Sequence, residues 1–190
     1  MAQMPAYGYI ILAIGTAAWL FPLMLRLRKA GAPQRLDRRA RWGVLLVGIG
    51  YSLLWQWPFW TRSPGAWRIA SSVICFIAAC FFSWSAARAL GRHLRIDAGL
   101  SADHALVKSG IYGLVRHPVY TSMLLVMIAT GLMVAPAGLF VAALAAYLVG
   151  TEIRIRIEDG LLASRFGEEF ESYRASVPAY IPIPKITKTG

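Results

Sequence analysis

The sequence predicts an all-α integral membrane bundle of about five transmembrane helices, and three observations carry that prediction. The 190 residues are 57% hydrophobic, with a mean hydropathy of +0.53 and only 15% charged. That is too few charges to solvate an ordinary globular surface, so lipid must solvate part of the chain. The charges are also segregated: residues 1–25 carry none, Arg26, Arg28, Lys29, Arg35, Arg38, Arg39 and Arg41 follow at once, and 42–60 is again uncharged. Finally, the apolar runs have the length that a helix rising about 1.5 Å per residue needs to cross about 30 Å of hydrocarbon. Net charge is +11, with a pI near 10.3. In a soluble protein that would point to nucleic acid, but basic clusters pinned between apolar runs mark cytoplasmic loops instead, and no nucleic-acid partner is expected.

The first span covers 7–25. It is long, lacks a basic region ahead of it and ends in a stop-transfer-like basic stretch, so it is expected to stay as a helix and not be cleaved. The second and third spans cover 42–60 and 69–87. Cys75 and Cys80 lie within the third, where neither a disulfide nor a metal site has the other ligands it would need, and they read as small packing residues. Residues 118–151 are uncharged throughout, too long for a single crossing, and Ala135-Pro136-Ala137-Gly138 interrupts them. The expectation is a tight helical hairpin of short fourth and fifth spans, the fifth running on as 152–166. In the tail, Phe166, Phe170 and Tyr173 recur at helical spacing opposite Glu168, Glu169, Glu171 and Arg174. That is an amphipathic helix for the membrane surface or the mouth of the bundle, ending at Val177-Pro178, with Pro182 and Pro184 keeping the rest extended.

Basic residues set the orientation. Seven fall between the first two spans, against Arg62 and Arg68 between the second and third, while 88–116 adds Arg88, Arg92, Arg95, Lys108 and Arg116. The amino terminus is therefore expected outside and the carboxyl-terminal tail in the cytoplasm, most naturally at a bacterial inner membrane. Trp19, Trp42, Trp57, Trp60 and Trp67 fall near span ends and read as interfacial anchors. The simplest organisation is a single domain over 1–190: three amino-terminal helices in 1–87 and a polar, chemistry-bearing half in 88–190.

The chemistry concentrates in the stretch from His104 to Tyr120. Two histidines, a lysine, an arginine and two tyrosines precede a membrane helix, which implies something polar to bind. Pro118 suits the first helical position and pushes His117 toward an extended conformation. Arg116 and His117 would then project beside the unpaired N–H groups of the fourth span, an anion-binding arrangement. Gly110 and Gly113 would let the backbone approach a ligand closely, and Tyr112 and Tyr120 offer flat faces for a heterocycle. A plain helix start with a snorkelling arginine and a hydrogen-bonded histidine is an equal alternative on these residues alone. Farther on, Glu152, Arg154, Arg156, Glu158 and Asp159 carry the fifth span out of the membrane; Arg154 and Glu158, at i,i+4, read first as a structural pair.

Gly-Ile-Tyr-Gly-Leu-Val-Arg-His-Pro-Val-Tyr (110–120), an apolar hairpin, Arg-Ile-Arg-Ile-Glu-Asp (154–159), Arg-Phe-Gly-Glu-Glu-Phe-Glu-Ser-Tyr (165–173) and Val-Pro-Ala-Tyr-Ile-Pro (177–182) follow one another in order. Together they resemble the isoprenylcysteine carboxyl methyltransferase family of integral membrane methyltransferases, over about 88–182; the first half is similar in hydropathy alone. The resemblance implies S-adenosylmethionine bound at the cytoplasmic side of the last helices and a lipophilic acceptor entering from the bilayer; no protein partner is expected. It places His104, Val107, Lys108, Gly110, Tyr112, His117, Pro118 and Tyr120 at the cofactor, and Arg154, Glu158 and Asp159 nearest the acceptor or the methyl group. The sequence departs from the family at Asp159, where glutamate is common, and at Ile111, where proline is.

Methyl transfer from a sulfonium to an anion needs mainly positioning and exclusion of water. Arg116, Lys108 and His117 are assigned to the cofactor's carboxylate, Tyr112 or Tyr120 to its adenine, Arg154 to an anionic acceptor, and Glu158 to holding Arg154 or taking a proton. The acceptor implied is a carboxylate of the isoprenylcysteine type, with a phospholipid amine or a small thiol as alternatives. Two other classes stand beside this reading: a sterol-reductase-like membrane enzyme using NADPH, and a non-catalytic membrane protein.

Overall fold

The computed structural model describes residues 4–27, 35–36, 39–56, 63–90, 99–100 and 106–183. Five apolar helices make the bundle: α1 (Ala6–Leu27), α2 (Ala40–Leu54), α3 (Ala66–Leu90), α5 (Pro118–Val134) and α6 (Ala137–Phe166). One helical turn, α4 (Ile111–Leu114), precedes α5, and α7 (Glu168–Ser176) follows α6. A two-residue antiparallel ladder joins the connections after α1 and α3, pairing β1 (Arg35–Leu36) with β2 (Gly99–Leu100). By length and apolar composition α1, α3 and α6 can each cross a membrane. The shorter α2 and α5, 15 and 17 residues, complete the bundle.

The hairpin falls where the sequence places it. α5 ends at Val134, and Pro136 caps α6 in an extended conformation, its missing N–H costing nothing at a helix start. At 30 residues α6 is about 45 Å long, so its last ten or so residues rise clear of the hydrocarbon. The second span differs from expectation, since α2 ends at Leu54 and not near residue 60. Pro58 lies four residues on in the sequence, and a proline has no N–H to offer the Leu54 carbonyl.

Packing pairs α3 with α5 and α2 with α6. Ser72 on α3 donates to the Ala129 carbonyl at 2.9 Å, and Ser83 donates to the Trp19 carbonyl on α1 at 2.7 Å. In hydrocarbon such bonds fasten helices because no water competes for them. Leu54, Ala79, Met127, Met133 and Tyr147 fill the centre. Trp42 and Trp67 are exposed, as anchors should be, but Trp19 corrects its expectation: it is half-buried and its Nε1 donates to Ser122 Oγ at 3.0 Å. An indole N–H that finds a partner inside the bundle has no need of the interface. Trp57 and Trp60 lie outside the described residues, as do Arg28, Lys29, Arg38, Arg62, Arg92 and Arg95.

These pairings bring the carboxyl-terminal ends of α1, α3 and α6 and the amino-terminal ends of α2 and α5 to one end of the bundle. The carboxyl-terminal segment closes that end. Gly167, at φ +52, breaks α6 from α7, and Phe170 and Tyr173 turn inward and are buried. Beyond α7 the chain runs alongside the start of α5, where Arg116 N–H donates to the Pro178 carbonyl at 2.9 Å and His117 N–H to that of Ala179 at 2.8 Å.

Candidate active site

Proline at the first position of α5 leaves His117 as its cap, with φ −124 and ψ 65, just outside the helix. Its ring and the neighbouring Arg116 point at the carboxyl-terminal half of α6. There Arg154, Glu158 and Asp159 occupy adjacent turns, and the two polar stretches meet in one network. Arg116 Nη2 donates to Asp159 Oδ2 at 2.8 Å, and His117 Nε2 lies 2.9 Å from Asp159 Oδ1. His117 Nδ1 lies 3.5 Å from Glu158 Oε2. The Tyr120 hydroxyl donates to Glu158 Oε1 and accepts from Arg154 Nε at 2.5 Å. Arg154 Nη2 reaches the same Glu158 oxygen at 3.3 Å.

Burial sharpens these contacts. Arg116, His117, Arg154 and Asp159 are each at most 8% exposed, whereas the Glu158 side chain keeps 22% of its surface. Glu158 is therefore the most accessible member of the network. Burial works against the charged form of His117, but the hydrogen bonds and charges of Asp159 and Glu158, one at each ring nitrogen, outweigh it and raise its pKa above the ordinary value. Two carboxylates facing both nitrogens favour an imidazolium, which donates from each.

The other expected residues divide. Val107 and Tyr112 pack in an apolar cluster with Ala86 and Ile111 at the end of α3. Gly110 is exposed and caps α4 at φ +62, a conformation that suits glycine. Lys108 is exposed and pairs with Glu169 on α7 at 2.6 Å. Pro118 is buried at the head of α5, and His104 lies outside the described residues.

The two tyrosines and Arg116 are more enclosed than their assigned roles suppose. Tyr112 and Tyr120 are each 7% exposed, and the Tyr120 ring stands beside the Arg154 guanidinium, 5.6 Å away, and the His117 ring, so neither tyrosine presents an open face to an adenine. Arg116 spends Nη1 on the Arg174 and Val177 carbonyls, at 3.2 and 2.5 Å, and Nη2 on Asp159. Only its buried Nε lacks a partner among the described residues.

Several contributors escaped the sequence reading. Tyr173 donates its hydroxyl to the Tyr112 carbonyl at 2.6 Å, fastening α7 to α4. Burial is the main reason its phenol is pushed up to about 12, so it donates as a neutral hydroxyl. Tyr147 donates to the Tyr120 carbonyl at 2.6 Å from within α6, and Thr121 Oγ1 to the Tyr180 carbonyl at 2.6 Å. Tyr173 and Tyr180 stand inside the carboxyl-terminal motifs, a signal that was there to be used; nothing in the sequence marks Tyr147. Among the described residues no three His, Cys, Asp or Glu side chains converge as a metal site.

Comparison with known proteins identifies the family. Residues 67–169 match the family described as phospholipid methyltransferase. The protein-S-isoprenylcysteine O-methyltransferase of Schizosaccharomyces pombe is 31% identical over 163 aligned positions, covering 76% of this chain and 68% of that protein. The cobalt-zinc-cadmium resistance protein CzcN of Cupriavidus metallidurans is 36% identical over 80 positions, 42% of this chain and 37% of that one. The matched stretch takes in every member of the network described above, and with the apolar bundle around it the chain belongs to the phospholipid methyltransferase family, as an integral membrane enzyme that moves a methyl group from a donor to an acceptor.

Proposed function

We propose that the protein uses S-adenosylmethionine to methylate the carboxylate of a lipophilic acceptor of the isoprenylcysteine type, at the cytoplasmic end of the bundle. The observation that carries this reading is the network from Arg116 through Asp159, His117, Glu158 and Tyr120 to Arg154, which alternates cations and carboxylates at the membrane boundary. The residues present fit the cofactor's charges. The partly exposed Glu158 carboxylate suits a cationic sulfonium or ammonium, and the unpartnered Nε of Arg116 is a buried donor suited to a carboxylate. When bound, the cofactor would supply an electrophilic methyl group for in-line displacement.

The chain's own residues then do the positioning. Arg154, held on one edge by Tyr120 and Glu158, orients the acceptor carboxylate, which is already an anion and needs no base. Asp159 fixes His117 and Arg116 at the start of α5, and the segment after α7 covers them, keeping water from the reacting groups. The basic residues of the connections after α1 and α3 support an orientation with this end in the cytoplasm. The family's name keeps a second acceptor in view, a phospholipid amine, for which Glu158 would take the proton.

The test is to incubate detergent-solubilised protein with methyl-labelled S-adenosylmethionine and, separately, an S-farnesylated cysteine, phosphatidylethanolamine and a small alkyl thiol. Label appearing as a base-labile ester on the farnesylcysteine is the expected result. Label on the amine with none on the carboxylate would replace the acceptor, and no transfer to any of the three would overturn the reading.

A further inference from the structure

α2 lies wholly outside the stretch that matches the family, yet it packs against the part of α6 that carries the network. Two backbones touch there. A Cβ placed on Gly43 would stand 2.5 Å from Arg154 Cγ and 2.6 Å from the Gly150 carbonyl oxygen, and one on Gly150 would stand 2.7 Å from the Gly43 carbonyl oxygen. No side chain fits on either side of this crossing without displacing main chain, and small residues are what let membrane helices approach so closely. Gly50, two turns along the same face, makes a similar approach, with a Cβ 2.8 Å from the Ala143 carbonyl oxygen and 3.2 Å from the Met127 methyl and the Tyr147 backbone nitrogen, but it touches neither Arg154 nor any other charged member of the network. Gly48 faces open space.

We propose that Gly43 is a positioning residue for methyl transfer: by bringing the α2 backbone against Arg154 Cγ it presses the base of that side chain toward Tyr120 and Glu158 and so sets where the guanidinium meets the acceptor. The proposal rests on the acceptor-orienting role given to Arg154 above. The stem of Arg154 has the α2 backbone on one side, while its Nε and Nη2 are held by Tyr120 and Glu158 on the other. Moving the stem about an ångström is enough to cost roughly 100-fold in a reaction governed by orientation. The methyl donor, held from the α5 side, is not expected to sense the change.

The experiment compares G43A, G50A, G48A and wild type for turnover on whichever acceptor wild type labels, for S-adenosylmethionine affinity, and for thermal midpoint in detergent. G43A is expected to lower kcat at least about 10-fold with donor affinity within about 3-fold. G50A, which strains the same helix pair, keeps kcat within about 3-fold, and G48A matches wild type. Equal losses in G43A and G50A, or full activity in G43A, overturn the proposal. Independently of catalysis, the midpoint lost in G43A should shrink when R154A removes Cγ, while that lost in G50A should not. Should G43A fail to accumulate, R154A/G43A should yield more folded protein than G43A, though less than wild type because the Gly150 carbonyl still faces the added Cβ, where R154A/G50A brings no gain over G50A; a gain no larger than that of R154A/G50A overturns the contact. Failure of the underlying reading looks different: R154A alone then retains full turnover.

Discussion

Replacing Asp159 with asparagine removes one charge from the most buried ion pair the described residues contain. The Asp159 and Arg116 side chains keep 9% and 6% of their surface and meet at 2.8 Å, and the second Asp159 oxygen is taken by His117. Asparagine is nearly the same shape, so the loss is one of charge: Arg116 stays buried with Nη1 on backbone carbonyls and no carboxylate. Leaving a buried charge without its partner costs about 3–5 kcal/mol. For a chain of this size that lowers the unfolding midpoint by about 6–20 °C, taking about 2–4 °C per kcal/mol. The contrast is Lys108→Ala, which breaks an ion pair of similar length whose side chains are 45% and 53% exposed, where less than about 1 kcal/mol is at stake. Thermal unfolding of both variants in one detergent, followed by tryptophan fluorescence, measures the difference. A midpoint for Asp159→Asn within 2 °C or so of Lys108→Ala would refute the claim that buried charge pairing holds α6 to the start of α5.

Other outcomes follow from the same geometry. Asp159→Glu should cost about 1–3 kcal/mol despite keeping the charge, because both oxygens already sit at hydrogen-bond distance and an added methylene must displace Arg116 or His117; an unchanged midpoint would show slack that these distances deny. His117 has a pKa raised in the folded protein, so its contribution to stability is fully present below its unfolded value near 6.5 and is lost as pH rises through the higher folded value. A midpoint measured against pH should therefore decline above about pH 6.5, and His117→Gln should flatten that decline. Tyr173→Phe should cost about 0.5–1.5 kcal/mol by freeing the Tyr112 carbonyl, and limited proteolysis should then cut sooner near α7.

Much of the fold was legible because lipid imposes simple rules on sequence. Uncharged runs of span length gave the long helices, Pro118 marked the start of α5, and Pro136 marked the hairpin. α2 read too long because hydropathy continues to Trp60 while the helix answers to Pro58. The meeting of Arg116 and His117 with Arg154, Glu158 and Asp159 was foreshadowed by two polar clusters flanking one hairpin. Of the individual pairings, Arg154 with Glu158 was, four residues apart on one helix face; the pairings across helices were not, since which oxygen of Asp159 meets which donor depends on the rotation of α6 about its axis. Trp19 was misplaced for the same reason, its indole turning toward Ser122 by the packing of α1 on α5. Gly43 was invisible in a segment that read only as an apolar span, because a glycine's role is decided by what faces it.

In the proposed reaction, methyl transfer depends on Arg154 at the junction of α2, α5 and α6. Its most direct test is paired: transfer of labelled methyl from S-adenosylmethionine by wild type and Arg154→Ala, with cofactor affinity by calorimetry on the same preparations. The expected result is transfer reduced at least about 100-fold with affinity within about 3-fold. Undiminished transfer, or cofactor binding lost together with it, would contradict the account.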